Sequence, residues 1–309
     1  MYLGVRREVY LTQIKLPSAK ETDMSKKPTP SKHAKIIKKL RRRKNLIITV
    51  AVIAAFLILA ASVPTIIFYP AEGEPLIDIQ YKGIPLAVSL LLFVLCIFIE
   101  AILIMITVQP HINRALTEEC DPEKFLEMSL ALDIPRNIPR AKTLAYLFLG
   151  YFGEAIKYSE PVIKDRLYTY HLAGLYNKAL CEFFLEDHEA FHNTVAEYSR
   201  RFEGNGKIPQ KARPLYENIF HVLSVLTALA DNDAEKLAEL KSSLHSYSKS
   251  RSSNVIIKYI KGLAESRTGN ADAATVEFEW VKENAKKTVF SALANRRLME
   301  MSGEYTIET

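Results

Sequence analysis

Two long apolar runs dominate the pattern of hydrophobic and polar residues in this chain. The first, residues 45–71, contains no charged side chain, and the second, residues 84–108, contains one, Glu100. An α-helix of about 23 residues spans about 35 Å, enough to cross a hydrocarbon core of about 30 Å with some tilt. The runs predict two transmembrane helices, over residues 46–68 and 84–108, joined by a short extracytoplasmic loop at 69–83.

A secretory signal peptide is the alternative interpretation of the first run, because a basic region precedes it. The run is longer than the roughly 7–15 apolar residues of a signal-peptide core, and no A-x-A-like cleavage site closes it before the second run begins. We therefore expect the first run to remain in the protein as a membrane span.

Beyond Pro110 the spacing of apolar residues becomes that of amphipathic helices, with almost no strand pattern. Asp-Pro-Glu at 121–123 is typical of a helix start, with a capping acid, proline in the first turn and a carboxylate near the positive end of the dipole. Apolar residues then recur at intervals of three and four in pairs of helices, for example 255–267 and 271–283 around the turn Gly269-Asn270. The C-terminal part is predicted to be a series of helical hairpins.

A small residue follows the turn of each predicted hairpin. These residues are Ala155, Ala190, Ala234 and Ala274, at intervals of 35, 44 and 40 residues. A small side chain at this position lets the two helices of a hairpin approach closely. Regular spacing of this kind indicates an internal repeat.

The chain here resembles the tetratricopeptide-repeat family of helical solenoids, in a degenerate form. The residues that carry the resemblance are Gly150, Tyr151, Glu154 and Ala155 in one segment, and Gly262, Gly269, Ala274 and Phe278 in another. It covers about residues 140–301 and implies a partner-binding scaffold whose inner helices line a groove. The family has no fixed catalytic set, so the resemblance implies no catalytic residue.

The predicted fold is therefore all-α, a two-helix transmembrane hairpin followed by a cytoplasmic α-solenoid of about four helical hairpins. The predicted segments are a basic, largely disordered tail (1–45), the two spans and their loop, a connecting helix with a proline-containing linker (109–140), the repeat domain (141–301) and a short tail (302–309). The first 23 residues differ in character from the rest, and Met24 resembles an ordinary bacterial start.

The net charge of +6 is unevenly distributed. Residues 1–45 hold 14 Lys/Arg against 3 Asp/Glu, a net charge of +11, which leaves −5 for residues 46–309. A basic segment beside a membrane span indicates topology and contact with anionic lipid headgroups, so no nucleic-acid partner is predicted. The block nearest the span is a predicted membrane-surface cluster, made of Lys38, Lys39, Arg41, Arg42, Arg43 and Lys44.

Topology follows from this asymmetry, because cytoplasmic segments carry an excess of Lys/Arg. Residues 26–44 contain ten, whereas the loop between the spans contains only Lys82 beside three acids. We expect an integral protein of the cell membrane, of the bacterial inner or plasma membrane type, with both termini in the cytoplasm. The three cysteines are scattered without metal-site spacing, which favours a reducing compartment.

The segment 188–192 is a literal H-E-x-x-H motif. On a helix His188 and His192 share a face and can hold zinc, with Glu189 activating a bound water. A membrane-associated zinc metallopeptidase is therefore one alternative function. Acidic residues precede the motif, no obvious third ligand follows it, and the repeat register accounts for a turn here, so we favour a protein with no metal or other cofactor.

Two further groups of residues are candidates for function. The predicted helix 165–185 is rich in aromatic and polar side chains suited to a partner-lined groove, namely Tyr168, Tyr170, Tyr176 and Asn177, although such residues also pack between repeats. Glu100 lies about 12 Å from the inner end of the second span. It suggests either a small transport or sensing subunit, or a protonated carboxyl that hydrogen-bonds a neighbouring helix.

Overall fold

The computed structural model describes residues 33–67, 79–132, 138–165, 167–204, 208–244 and 250–303, which are helices and turns with no strand among them. At this level the all-α prediction is confirmed. The helices in chain order are α1 (Ala34–Ile67), α2 (Ile79–Thr107), α3 (Gln109–Thr117), α4 (Pro122–Leu132), α5 (Ile138–Leu149), α6 (Phe152–Ile163), α7 (Tyr168–Phe184), α8 (His188–Glu203), α9 (Arg213–Ala230), α10 (Ala234–Leu240), α11 (Arg251–Arg267), α12 (Ala271–Asn284) and α13 (Val289–Ser302). The predicted disordered tail up to residue 32, Met24 within it, the loop residues 68–78 and the chain end 304–309 lie outside these ranges.

Helices α1 and α2 expose most of their large apolar side chains. This holds for α1 between Leu46 and Leu57, and for α2 between Val88 and Ile106. Within the described residues, one helical stretch, Val88–Thr117, is long and apolar enough to cross a membrane by its length and composition. Large aliphatic side chains exposed along most of a helix are typical of a helix in an apolar surrounding.

The less exposed positions of each apolar helix fall on one face. In α2 they recur at intervals of three and four, at Ser89, Phe93, Cys96, Glu100 and Ile104. In α1 they follow the same spacing, at Lys44, Ile47, Ile48, Ala51, Ala54, Ala55 and Ile58. Residues at this spacing share one side of a helix, so each helix has a single partly covered stripe.

The remaining helices pack as successive hairpins. Consecutive helices contact each other from α3 to α8 and again from α11 to α13, and α9 pairs with the short α10. Alternate helices also touch, because α7 contacts α5 and α9, and α11 contacts α9 and α13. The odd-numbered helices α7, α9 and α11 are therefore the central ones, and each buries side chains around most of its circumference.

Four hairpin turns share one backbone geometry. In each, a residue with positive φ ends the first helix, namely Gly150, Glu186, Asn232 and Gly269. The next residue is the N-cap of the second helix. The position five residues after each positive φ is buried, at Ala155, Phe191, Leu237 and Ala274. The sequence intervals place Ala190 and Ala234 at the positions of Ala155 and Ala274. In the structure these two alanines lie before the buried position, because spacing alone does not locate the residue with positive φ.

Gly262 explains the close approach of α11 and α12. A Cβ atom at this position would lie 2.6 Å from Cε1 of Phe278. The absence of a side chain therefore lets the Phe278 ring lie directly against the α11 backbone. Phe278 and Ala274 are both fully buried in this hairpin.

A cluster of five aromatic rings joins the two ends of the hairpin series. Neighbouring ring centroids lie 5.3–5.9 Å apart, and the rings come from five helices, as Phe148 (α5), Phe152 (α6), Phe184 (α7), Tyr259 (α11) and Phe290 (α13). Helix α13 also contacts α5 directly. These contacts do not confirm the predicted solenoid, because an open solenoid keeps its ends apart and here aromatic side chains from both ends bury one another.

Candidate functional site

The basic start of α1 is attached to the last turn of α4. Arg41 donates a hydrogen bond from Nη2 to the carbonyl oxygen of Ala131 at 2.9 Å, and Lys44 donates from Nζ to that of Leu132 at 2.6 Å. The last carbonyls of a helix have no partner within the helix and carry the negative end of its dipole, so cations are favoured there.

Two buried apolar side chains accompany these cations on α1. Ile37 and Leu40 are buried, although the residues around them are basic. Their spacing from Arg41 and Lys44, in steps of three and four, places all four side chains on one face of α1. We call this face, together with the last turn of α4, the joint.

The other end of α4 is attached to the C-terminal helices. Asp121 caps α4 by accepting a hydrogen bond from the backbone nitrogen of Lys124 at 3.0 Å. Its second carboxylate oxygen accepts from the ammonium group of Lys287, between α12 and α13. This hydrogen bond raises the pKa of Lys287 above its ordinary value. Asp121 is itself almost fully buried, so the pair ties the two segments firmly.

Helix α3 is also packed on the C-terminal helices. Its side chains Ile112, Ala115 and Leu116 are buried, and α3 contacts α11. The Ser250 hydroxyl at the start of α11 donates to the carbonyl oxygen of Thr117 at 3.4 Å. The connecting segment predicted at 109–140 therefore belongs, over its described helices, to the packed helical domain.

The predicted membrane-surface cluster divides into two sets. Arg41 and Lys44 hydrogen-bond the end of α4 in the joint, whereas the other four side chains lie away from it and are exposed, namely Lys38, Lys39, Arg42 and Arg43. Sequence reasoning missed the role of the first two. Apolar Ile37 and Leu40 within the basic run, each four residues before one of these cations, were the signal that one face of this segment is packed.

The residues of α7 predicted to bind a partner are buried or in contact with neighbouring helices. Tyr176 and Asn177 are buried within α7. The Tyr168 hydroxyl donates to the carbonyl oxygen of Arg201 at the end of α8, and the Arg140 guanidinium lies over the Tyr170 ring at 5.2 Å. Aromatics at helical spacing therefore pack between hairpins here, and only Tyr168 and Tyr170 keep part of their surface accessible.

The H-E-x-x-H segment forms the first turns of α8. His188 and Glu189 are exposed, and Asp187 caps the helix by accepting from the backbone nitrogen of Ala190 at 3.3 Å. Nε2 of His192 lies 3.0 Å from Oδ1 of Asp231, in the turn before α10. Within the described residues no three His, Cys, Asp or Glu side chains converge as a metal site would require.

Glu100 lies on the partly covered stripe of α2, with Cys96 and Ile104 one turn to either side. This face is less exposed than the rest of the helix, so the carboxyl is turned away from the most exposed surface. The two interpretations of Glu100, a transport or sensing group and a carboxyl that hydrogen-bonds a neighbouring helix, stay predictions.

Two buried glutamates in the helical domain have pKa values that are shifted in opposite directions. Glu277 accepts hydrogen bonds from Lys258 at 2.6 Å and from Lys261 at 2.7 Å. Burial favours its neutral form, but these bonds outweigh burial and lower the pKa of Glu277. Burial raises the pKa of Glu182, whose Oε2 has no hydrogen-bond partner and whose Oε1 lies 3.8 Å from Nζ of Lys178.

Comparison with known protein families, curated proteins and solved structures identifies no match to this chain.

Proposed function

We propose that this protein is a membrane-anchored helical-repeat scaffold that binds protein partners at the cytoplasmic membrane surface. The observation that carries the proposal is the contrast between α2 and the hairpins. Most large apolar side chains of α2 are exposed along the helix, whereas most of those of α7, α9 and α11 are buried. One part of the chain thus requires an apolar surrounding, and the other forms its own core.

In the proposed topology the chain crosses the membrane twice, and both termini lie in the cytoplasm. The joint supports this topology because it brings the basic start of α1, which precedes the first span, to α4, which follows the second. Both ends of the pair then lie on the same side of the membrane, and the excess of Lys/Arg on that side favours the cytoplasm. The partly covered stripes of α1 and α2 are suited to packing against each other.

The surface of the hairpins is the expected place for partner binding. Because aromatic rings fill the interior of the helical domain, the outer faces remain for partner binding. One outer face carries a group of half-exposed tyrosines. Tyr146 lies between Tyr151 and Tyr158, with ring centroids 6.1 Å and 5.5 Å away, and Lys142 Nζ lies 4.4 Å from the Tyr158 ring centre. Rigid amphipathic rings are typical anchors of protein interfaces.

Topology mapping and partner capture together test the proposal. Single cysteines at either end of α1 and α2 in the full chain are labelled in intact and in permeabilised cells with a membrane-impermeant reagent. Only cysteines in the loop between the spans should react in intact cells. Labelling at the start of α1 or at the end of α2 in intact cells would reject the topology.

For the scaffold itself, tagged full chain and a tagged chain ending at residue 108 are captured from mildly solubilised membranes and compared by quantitative mass spectrometry. A scaffold retains a reproducible set of proteins that the shorter chain does not. Replacing Tyr158 with serine should reduce that set, whereas replacing Tyr176, which is buried, with phenylalanine should not. Identical protein sets for full and shortened chains would contradict the proposal.

A further inference from the structure

The face of α1 that points away from the joint is strongly cationic. Its residues recur at intervals of one, three and four and are all exposed, namely Lys35, Lys38, Lys39, Arg42 and Arg43. Within the described part of the chain, no acidic side chain pairs with any of them. Five exposed cations on one face, beside a joint that uses two others, form a surface that attracts a partner of opposite charge.

The depth of these cations follows from helix geometry, because α1 runs without interruption from Ala34 to Ile67. With a rise of about 1.5 Å per residue, Arg43 and Arg42 lie about 5 and 6 Å from Leu46, where the apolar run begins. Lys39 and Lys38 lie about 11 and 12 Å away, and long basic side chains extend several ångströms back toward an interface. Four of the five cations therefore reach the layer of lipid headgroups, and Lys35 lies beyond it.

A second feature of the domain lies at the same level. Leu130 in the last turn of α4 is 43% exposed, and it immediately precedes Ala131, whose carbonyl accepts from Arg41. Arg41 lies about 8 Å along α1 from Leu46, so its hydrogen bond to Ala131 brings this exposed leucine near the start of the apolar run. A large apolar side chain at this depth can insert between headgroups, as interfacial helices do.

We propose that Lys38, Lys39, Arg42 and Arg43, together with Leu130, form a composite surface that binds anionic phospholipid headgroups and holds the helical domain against the membrane. The inference rests on the proposed function, since the depth of each residue depends on α1 crossing the bilayer. Charge complementarity and direct continuity with the apolar run identify the occupant as lipid. An acidic protein segment is the competing occupant.

Lipid retention by the purified full chain tests the charge half of the surface. The chain in mild detergent is mixed with equal amounts of phosphatidylglycerol and phosphatidylcholine, and bound lipids are counted by native mass spectrometry. Wild-type protein should retain phosphatidylglycerol preferentially. The variant K38Q/K39Q/R42Q/R43Q should retain about tenfold less phosphatidylglycerol than wild type. The matched control K164Q/R200Q/K211Q/K286Q removes four exposed cations of the domain and should retain the wild-type preference.

Equal retention of both lipids by wild-type protein would overturn the inference. So would a first variant that retains phosphatidylglycerol as well as wild type does, which would leave an acidic protein segment as the occupant of the cationic face. Alkaline extraction of cell membranes keeps this failure distinct from that of the proposed function. A chain released into the soluble fraction is not an anchored protein, whereas a chain that stays but shows no lipid preference lacks only the proposed surface.

A fluorophore on Leu130→Cys tests the apolar half, with Val276→Cys on the distant α12 as the control. Both labelled chains, in a Cys96→Ser background, are placed in nanodiscs containing phosphatidylglycerol and a lipid that carries a quencher near its headgroup. Quenching at position 130 and none at position 276 is expected. Equal quenching at the two positions would overturn the proposal that α4 meets the membrane.

Discussion

Helices α2 and α11 are both rich in aliphatic and aromatic residues but place them in opposite environments. Val255, Ile257 and Ile260 of α11 are buried among neighbouring helices. Leu91, Phe98 and Met105 of α2 are exposed. The difference lies in the distribution of polar residues, because α11 alternates apolar and polar side chains with helical periodicity and α2 does not. Apolar content alone therefore does not define a core.

The largest effect that this comparison predicts concerns buried aromatics. Phe290→Ala removes a fully buried ring from the aromatic cluster and should lower the free energy of unfolding of the helical domain by about 3–5 kcal/mol. Phe98→Ala also removes a phenyl ring, but from an exposed position on α2. It should change the free energy of unfolding by less than about 0.5 kcal/mol. Chemical denaturation of the full chain in detergent, followed by circular dichroism, measures both. Similar losses for the two variants would invalidate the comparison.

A pair of lysine substitutions compares an exposed apolar side chain of α2 with one of α12. Phe98 in α2 is 66% exposed and Val276 in α12 is 63% exposed. Phe98→Lys should reduce membrane integration at a cost of about 2.5–3.5 kcal/mol, because a lysine at the centre of a span is poorly tolerated. Val276→Lys should leave both integration and stability nearly unchanged. The fraction of chain resistant to alkaline extraction is the readout, and equal resistance of the two variants would count against a span at α2.

Glu277 and Glu182, two of the buried glutamates, extend the comparison to ionisable side chains inside the helical domain. Because the pKa of Glu277 is lowered on folding, its charged form contributes stability above the ordinary value near 4.5, and this contribution is lost as the pH falls through the folded pKa. Glu277→Gln should therefore destabilise the domain by about 1.5–3 kcal/mol at pH 7, and the effect should shrink as the pH is lowered below 4.5.

Glu182 should behave in the opposite way. Its pKa is raised on folding, so the ionised form costs stability above the folded pKa, and this cost disappears below the unfolded value near 4.5. Glu182→Gln should raise stability by about 1 kcal/mol at pH 7 and leave it unchanged near pH 4. Denaturation of both variants across this range provides the measurement, and shifts of the same sign would contradict the assigned environments.

The smallest expected effect concerns the joint between the two regions. Arg41→Ala removes a cation from the negative end of the α4 dipole and should cost about 0.3–1 kcal/mol. Hydrogen exchange of the amides near the end of α4 should accelerate, while Arg42→Ala, which removes a neighbouring exposed cation, should leave exchange there unchanged. Equal effects of the two substitutions would mean that general charge, and not the hydrogen bond to Ala131, holds the joint.

Local signals predicted the helices well. The helix start at 121–123, the turn at Gly269-Asn270 and the helix ends at Leu132 and Arg267 agree with the structure within a few residues. Capping residues, positive-φ positions and helical periodicity act over one or two turns, so they are readable without knowledge of distant contacts. The assignment of Ala190 and Ala234 failed because the positive φ of Glu186 and Asn232 is not encoded by glycine.

The candidate site was predictable only in part. The basic block beside the apolar run was visible in the sequence, but its division into joint and exposed residues was not. That division depends on where α4 ends relative to α1, about ninety residues away along the chain. The same limit applies to the tyrosines of α7, because their periodicity is equally compatible with a groove and with packing between hairpins.

By itself, the sequence determined the helical class, the positions of the apolar runs and the asymmetry of charge around them. These properties depend on local periodicity and composition, which each segment carries independently of the others. Only the tertiary structure decided that α5 and α13 share an aromatic core, that the connecting helices belong to the domain, and that Arg41 and Lys44 bind α4. Such contacts join residues far apart along the chain, and their identity is set by the complementary shapes and unsatisfied carbonyls that meet only after folding.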